Sequence, residues 1–380
     1  MMKEVKYQQC KNCVMDTTDS KITFNEKGMC DHCTNFYNNI ENDWIGKVNN
    51  KDALMKISEK IKKAGKGKKY DCIIGLSGGV DSSYLCYLAK EVMGLRPLLY
   101  SVDTGWNDAI ANNNIKKVVD KLGFDHYVEK VDWNEMRDLQ LAMLKSNTAY
   151  QDFPQDHAIF AGIYNYSVKN KIQYVLTGAN TSTEGIRPPT EWVYINDIKF
   201  LRDVHKKFGG GVALKTFPLC GMLKYKLYYT LFKKMKRVAP LDYVEYNKEK
   251  VENFLKEYFG WEGYENKHYE SVFTRWCEGY YLVKKFNYDK RKSYFSNLIL
   301  TNQITRDEAV ELLKKQPYSD EMVLADSKYI AEKLGISTDE LIAFTEGQKN
   351  TYKNFKNSFF GIKIAIKITR IFGIERRNFR

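Results

Sequence analysis

The sequence predicts an α/β fold: an open parallel sheet with helices on both faces, behind a small metal-binding ribbon and ahead of a mainly helical region. Three observations carry this. Residues 71–83, DCIIGLSGGVDSS, read as a buried strand, a glycine turn and a helix N-terminus in succession. Apolar strands and amphipathic helices then alternate as far as residue 178, the pattern of βα units. Two Cys-x-x-Cys pairs, Cys10/Cys13 and Cys30/Cys33, stand ahead of both.

Residues 1–45 form the metal module. Each Cys-x-x-Cys makes a tight turn offering two thiolates from one side, and two such turns complete a tetrahedron. Zinc takes four sulphur ligands in closed structural sites. An iron–sulphur cluster and a redox dithiol pair are the other readings of this spacing. The intervening TTDSKITFNEKG predicts a short β-hairpin turning at Asn25–Gly28, and His32 is a spare ligand.

Residues 46–185 form the nucleotide domain. A helix over 52–63 and a basic hinge, AGKGKK, lead in. Strand 70–76 feeds helix 82–93, strand 97–102 feeds helix 108–122, and strand 126–131 feeds helix 133–146. A helix over 156–170 precedes strand 172–178. The alternation is expected to stop after residue 180. Region 186–355 is expected to be mainly helical, with helices near 197–206 and 222–236. Capping boxes at Thr305/Glu308 and Ser337/Glu340 set helix starts near 306 and 338. The tail, 356–380, contains FFGIKIAIKITRIFGIERRNFR, in which Ile362, Ile366, Ile371 and Ile374 alternate with Lys and Arg. Such a basic amphipathic helix lies on an anionic membrane, or packs on a partner or on the chain's own core.

The chain has 380 residues, 43% hydrophobic and 14% aromatic, enough for a large core and against disorder. There is no apolar run of about 18 residues to cross a membrane, and the N-terminus lacks the apolar core of a signal peptide. The expected location is cytoplasmic, peripheral at the inner membrane if the tail binds lipid. A net charge of +13 suits nucleic acid, an anionic membrane or phosphate-bearing substrates, although Lys- and Asn-rich composition also follows from AT-rich coding. The other four cysteines, Cys72, Cys86, Cys220 and Cys277, are dispersed, which excludes a disulfide framework.

The chemistry centres on Ser77-Gly78-Gly79-Val80-Asp81-Ser82-Ser83. Glycines admit a phosphate close to the backbone, and free N–H groups with the helix dipole favour negative charge. Ser77, Ser82 and Ser83 add hydroxyls; Asp81 suits a magnesium ion or a phosphate-bound water. The stretch is neither a Walker loop nor G-x-G-x-x-G. It resembles the SGGxDS signature of the PP-loop ATP-pyrophosphatase superfamily, adenine nucleotide alpha hydrolase-like in fold. Members cleave ATP between the α and β phosphates, adenylate a substrate oxygen, and let a nitrogen or sulphur nucleophile displace AMP. Ligands of such sheets sit at the carboxyl ends of strands, where Asp103-Thr104-Gly105-Trp106-Asn107 and Thr177-Gly178-Ala179-Asn180 fall.

Six further stretches resemble one branch of that superfamily, the bacterial N-acetyl sugar amidotransferases of surface-polysaccharide (LPS or nonulosonate) synthesis. They are CKNCVMDTTDSKITFNEKGMCDHC, GLSGGVDSSY, VDTGWN, PQDHAIFAGIY, LTGANTSTEG and CEGYYLVKKFNYDKR, with Cys277 where the family pattern has an aromatic. The resemblance implies ATP, Mg2+ and Zn2+ as cofactors and an N-acetylated sugar as acceptor. ATP activates the oxygen of the N-acetyl group, ammonia attacks the resulting imidate, and an acetamidino group remains. It implies that Ser77, Gly78, Gly79, Ser82 and Ser83 hold the β,γ-phosphates and that Asp81 positions magnesium. Asp103 and Gly178 would flank adenosine, with Asn180 beside them; His157, Asn180, Glu184 and Arg187 face the acceptor. No glutaminase elbow surrounds Cys220 or Cys277, and the family draws ammonia from a separate glutaminase subunit with a β/α-barrel cyclase-like partner. The alternative is a tRNA-thiolating PP-loop enzyme. That needs reactive cysteines beside the nucleotide, whereas Cys72 and Cys86 read as buried, so no nucleic-acid partner is expected.

Overall fold

The computed structural model describes residues 6–45, 48–186, 194–264 and 269–371. Short helices α1 (Asp31–Asn35) and α2 (Glu41–Ile45) complete the N-terminal module, and α3 (Lys51–Gly65) leads into the sheet. Then follow β1 (Cys72–Gly75), α4 (Val80–Tyr87), β2 (Pro97–Asp103), α5 (Ala109–Leu122) and β3 (His126–Lys130). Next come α6 (Trp133–Ser146), α7 (Phe153–Lys169), β4 (Tyr174–Leu176), α8 (Thr181–Glu184) and α9 (Ile198–Phe208).

The strands of the sheet pair in parallel, in the order β3-β2-β1-β4-β5, where β5 is Lys236–Val238. The chain builds outward from β1 to one side, then returns to its other side with β4. The crevice at the carboxyl ends of β1 and β4 is therefore the topological switch point, where ligands of such sheets bind. Both faces are covered, as the strand period of two requires. Cys72, Ile74 and Leu99 pack under α3, α4 and α5, while Ile73, Leu98 and Tyr100 pack under α7.

The fifth strand departs from the sequence reading. A π-helix, Lys224–Phe232, ends early and delivers β5 (Lys236–Val238) to β4, so the βα alternation continues past residue 180. Three residues, Lys-Arg-Val, carry no usable period, and π winding breaks the 3.6 repeat by which a helix end is judged. The hairpin of the metal module is likewise reduced to isolated bridges, Gln9 with Asp16 and Phe24 with Cys30. Asn25 still makes the turn, accepting from the N–H groups of Lys27 and Met29.

The remainder is helical, as expected: α10 (Lys248–Phe259), α11 (Val272–Trp276), α12 (Leu282–Phe286), α13 (Arg291–Leu300), α14 (Arg306–Lys314), α15 (Asp320–Leu334), α16 (Thr338–Ala343) and α17 (Phe359–Ile371). Thr305 and Glu308 close a reciprocal capping box on α14, and Ser337 caps α16 through the Glu340 N–H. Ile374, Arg376, Arg377 and Arg380 of the tail lie outside the described residues, as does Arg187. Among the described residues no helix is long and apolar enough to cross a membrane.

Candidate active site

Between β1 and α4 the chain makes a turn that glycine alone fits. Gly78 has φ +83°, and a Cβ there would strike the Ala111 backbone. The turn is tied to itself and to its surroundings. The Ser82 hydroxyl accepts from the Ser77 N–H (3.3 Å) and donates to the Gly79 carbonyl (3.1 Å), and the Gly79 N–H donates to Ser77 Oγ (3.3 Å). The Gly78 carbonyl accepts from the Trp261 indole (2.9 Å) and from Asn114 Nδ2 (3.3 Å). With the loop carbonyls held back, the N-terminal N–H groups of α4, which have no acceptor inside the helix, remain for an anion.

Asp81 sits in the first turn of α4. One of its carboxylate oxygens accepts from Asn180 Nδ2 (3.4 Å) and from the Tyr246 hydroxyl. Asn180 also caps α8 by accepting from the Thr183 N–H (2.9 Å). Gly178 presses directly on this turn: a Cβ there would stand 3.0 Å from the Asp81 carbonyl carbon and 3.1 Å from the Ser82 nitrogen. The structure thus brings Ser77, Gly79, Asp81, Ser82, Gly178 and Glu184 into the lining of one cleft of about 240 Å³, with Asn180 behind it.

Later segments also line the cleft, through Lys248, Glu252, Trp261, Tyr264 and Glu270. The Glu270 carboxylate occupies the space where Gly79 would carry a Cβ. Its backbone is fixed by an antiparallel bridge, the Asp108 N–H donating to the Glu270 carbonyl (2.9 Å). Burial opposes the charge on Lys248, but the Tyr294 ring 4.9 Å away and Glu252 at 3.3 Å outweigh it and hold the ammonium's pKa above its ordinary value. Burial, reinforced by the Asp81 charge, pushes the Tyr246 hydroxyl well up, so it stays protonated as a donor. The sequence reading missed these residues, which follow no motif and lie 165 to 189 positions beyond Asp81 by their numbering.

Three predicted residues stand elsewhere. Ser83 is fully buried and is absent from the cleft lining, and among the described residues its hydroxyl has no hydrogen-bond partner. Asp103 is at the end of β2, as expected. It accepts from the Gly105 N–H (2.9 Å) and lines a second groove, with Asn107 and His126, not the phosphate cleft. His157 is packed in the core, its ring stacked with Phe153 and Phe217. Its Nδ1 meets the Ile195 carbonyl at 2.5 Å and its Nε2 accepts from the Cys220 N–H at 3.3 Å. Burial lowers its pKa to about 4, so the ring is neutral with both nitrogens engaged, a packing role and not an acceptor-side one.

Two of the resembling stretches meet away from the cleft. Asp152 and Asp156, in and beside PQDHAIF, lie near Glu278 of CEGYYL, which pairs with Lys290. Burial, then Asp156 and Glu278, raises the Asp152 carboxyl well above its ordinary range. Cys277 beside them is buried with its thiol pushed up, and burial pushes the Cys220 thiol up to about 11. Neither is poised as a thiolate.

The four N-terminal cysteines converge. Their sulphurs lie within 4.8 Å of one another, at 3.8 Å for Cys10–Cys33, 3.7 Å for Cys13–Cys30 and 3.6 Å for Cys30–Cys33. A tetrahedral ion with metal–sulphur bonds of about 2.3 Å sets its ligands about 3.8 Å apart, so the set fits one metal ion. Backbone N–H groups of Asn12, Cys13, Met15 and Cys30 point at the sulphurs. His32 is held by Asp19 (2.9 Å), outside the set. The module is bolted to the rest of the chain: Arg306 donates to the carbonyls of Cys10 and Cys13, and the Val14 N–H donates to Ser296 on α13. The same α13 carries Asn297, which accepts from the Ile186 N–H (2.7 Å) and donates to the Thr183 carbonyl (3.3 Å). The metal module thereby supports the segment bearing Glu184.

Residues 71–179 match the asparagine synthase family, and residues 270–369 match the LPS biosynthesis protein WbpG-like, C-terminal domain. Together they support the family read from the sequence. The pair supports an ATP-using, amidotransferase-like role in LPS biosynthesis. A comparison with curated proteins finds no match. Similar solved structures include NMN synthetase from Francisella tularensis (15% identity, 78% of this chain and 98% of that one, TM-score 0.32). The NH3-dependent NAD synthetase from Campylobacter jejuni subsp. jejuni NCTC 11168, in complex with the nitrate ion, is 14% identical over 79% of this chain and 98% of that one (TM-score 0.30). The U34-tRNA thiolase NcsA from Methanococcus maripaludis, with its 4Fe–4S cluster, is 14% identical over 81% of this chain and 88% of that one (TM-score 0.31). These superpose too loosely to bear on the site.

Proposed function

We propose that the chain is the synthetase component of an N-acetyl sugar amidotransferase. One observation carries this reading. Glu270, the first residue of the WbpG-like match, lays its carboxylate on Gly79 of the phosphate loop, inside the asparagine synthase match. The region matching a surface-glycan protein and the ATP-using region then build one cleft between them.

ATP and the sugar are both substrates. The β,γ-phosphates lie against the N-terminus of α4, with the Ser77 and Ser82 hydroxyls beside them. The oxygen of the N-acetyl group attacks the α-phosphorus and pyrophosphate leaves, giving an O-adenylyl imidate. Ammonia adds to the imidate carbon, the bond to the adenylyl oxygen breaks, and AMP departs as the acetamidino group forms. Asp81, with Glu184 and Glu270 nearby, suits magnesium, which supplies positive charge against the phosphates. Lys248 and the aromatic walls Trp261 and Tyr264 supply further charge and exclude water, which otherwise would regenerate the acetamide.

The cysteine set is read as structural zinc, since its sulphur spacing leaves room for one ion. Ammonia is supplied by a separate glutaminase subunit with a β/α-barrel cyclase-like partner, consistent with the buried, raised thiols of Cys220 and Cys277. Thiolation is disfavoured, because no cysteine is among the described residues lining the cleft and Cys72 and Cys86 are buried. The test is incubation with ATP, magnesium, ammonium and N-acetylated bacterial sugars. AMP, pyrophosphate and a product lighter by the difference between O and NH support the proposal. ADP as the main nucleotide product, or thiolated tRNA with no sugar product, defeats it.

A further inference from the structure

A second surface, independent of the proposed reaction, is built for a different contact. The π-helix Lys224–Phe232 turns Tyr225 and Tyr229 inward, Tyr225 onto Phe160 and Tyr164 and Tyr229 onto Asn165. Its i→i+5 bonding, as from the Lys233 N–H to the Tyr228 carbonyl, puts residues four and five apart on one face. That face carries Leu223, Leu227, Tyr228, Leu231 and Phe232, with Leu223 74%, Leu231 65% and Phe232 72% exposed. Such a row of bare aliphatic and aromatic side chains marks a contact surface.

The segment that carries it has charge of one sign. Residues 204–241 contain nine Lys and Arg and no Asp or Glu. Lys233 lies over the Tyr228 ring and so borders the apolar row, and Lys226, over the Tyr225 ring, precedes Leu227 of that row in the chain. The tail repeats the composition: residues 347–374 hold six Lys and Arg and no acid, and Phe360 and Ile364 on α17 are exposed. Both segments start from the same place. Asn196 contacts Met222 at the head of the π-helix, and Asp197 accepts from the Ser358 N–H (2.7 Å) at the head of α17.

We propose that these two helices seat the protein on an anionic lipid bilayer. Leu, Tyr and Phe enter the interface while lysines meet the headgroups, the pattern of helices that lie in the membrane plane. Two carrying segments that are basic and without acids favour an anionic bilayer over a protein, whose rim would present both signs.

The test is flotation of the full chain with vesicles. Binding is expected to phosphatidylcholine vesicles containing phosphatidylglycerol, not to phosphatidylcholine alone, and is expected to weaken with salt. Leu227→Glu/Leu231→Glu and, separately, Lys226→Glu/Lys233→Glu should each weaken it by at least about tenfold. All these side chains lie outside the cleft, so melting temperature and soluble AMP formation should stay unchanged. Absence of flotation with anionic vesicles overturns the proposal, as does flotation that neither variant alters. Loss of a dimer, or of capture by the glutaminase or cyclase-like subunit, with lipid binding intact would assign the face to protein and overturn it too.

Discussion

The hydroxyl of Tyr246 donates to the same carboxylate oxygen of Asp81 that accepts from Asn180. Asp81 is thereby fixed by a residue from the end of β4 and another from beyond β5. The residue itself lines the cleft, at the point where phosphate charge must be met.

Asp81→Asn should abolish AMP formation, with a loss of about a hundredfold to a thousandfold, while leaving the melting temperature nearly unchanged. It removes the charge that suits a cation but keeps the shape. Tyr246→Phe should cost about tenfold in turnover and about 1 kcal/mol of stability, because one buried hydrogen bond goes and the carboxylate is freer. Pyrophosphate release and thermal melts check both. Equal losses in the two variants would show that Tyr246 does more than orient Asp81.

Metal removal should act through the fold. Elemental analysis is expected to give one zinc per chain, and the anaerobic protein should show no visible iron–sulphur absorbance. Cys10→Ser or chelation should lower the melting temperature strongly, since structural zinc sites contribute folding energy outright. The damage should travel along a defined route. Arg306 and Ser296 couple the module to α13, and Asn297 on α13 holds the segment 183–186. Any chelated protein that stays folded should therefore lose affinity for the acceptor more than for ATP.

The strands and the phosphate turn were legible because their signals are local. SGGVDS needs its glycines for backbone geometry, β1 and β2 are continuous apolar runs, and the cysteine pairs carry their own spacing. What was missed is non-local. Tyr246, Trp261 and Glu270 enter the cleft by tertiary packing, and no periodicity of the intervening chain announces that. Helix assignment could not resolve Ser83 from Ser82: one residue of helix rotation takes the hydroxyl from the cleft into the core. His157 misled for a related reason. A polar residue on an apolar helix looks functional until its two partners, Ile195 and Cys220, are seen to come from distant loops.

His157 should give the protein a pH-dependent stability of known sign. Its folded pKa is depressed from 6.5 to about 4, so the unfolded chain binds a proton that the folded chain refuses. Its contribution is fully present above about pH 6.5 and is lost as pH falls toward 4, amounting to about 3 kcal/mol at most. Asp152 and Asp156, whose carboxyls are raised, act in the opposite sense, so the effect is read as a difference. His157→Asn should be less stable at neutral pH and should flatten the decline between pH 6.5 and 4 in urea titrations. A parallel curve would mean that His157 is protonated in the folded state.

Ammonia dependence tests the division of labour between subunits. Glutamine alone should give no acetamidino product, because neither Cys220 nor Cys277 is exposed or readily ionised. Ammonium salts should support the reaction, and the rate at fixed total ammonium should rise with pH, since only the free base carries the lone pair that attacks the imidate carbon. That rise should hold until the ATP half-reaction becomes limiting, which pyrophosphate release measured without ammonium would reveal. Adding a glutaminase with its cyclase-like partner should restore turnover at neutral pH on glutamine. Mass spectrometry of the sugar distinguishes the product twice over, by the exchange of O for NH and by the cation that a strongly basic amidine retains. Turnover on glutamine by the purified chain alone would place a glutaminase within it and overturn the two-subunit reading.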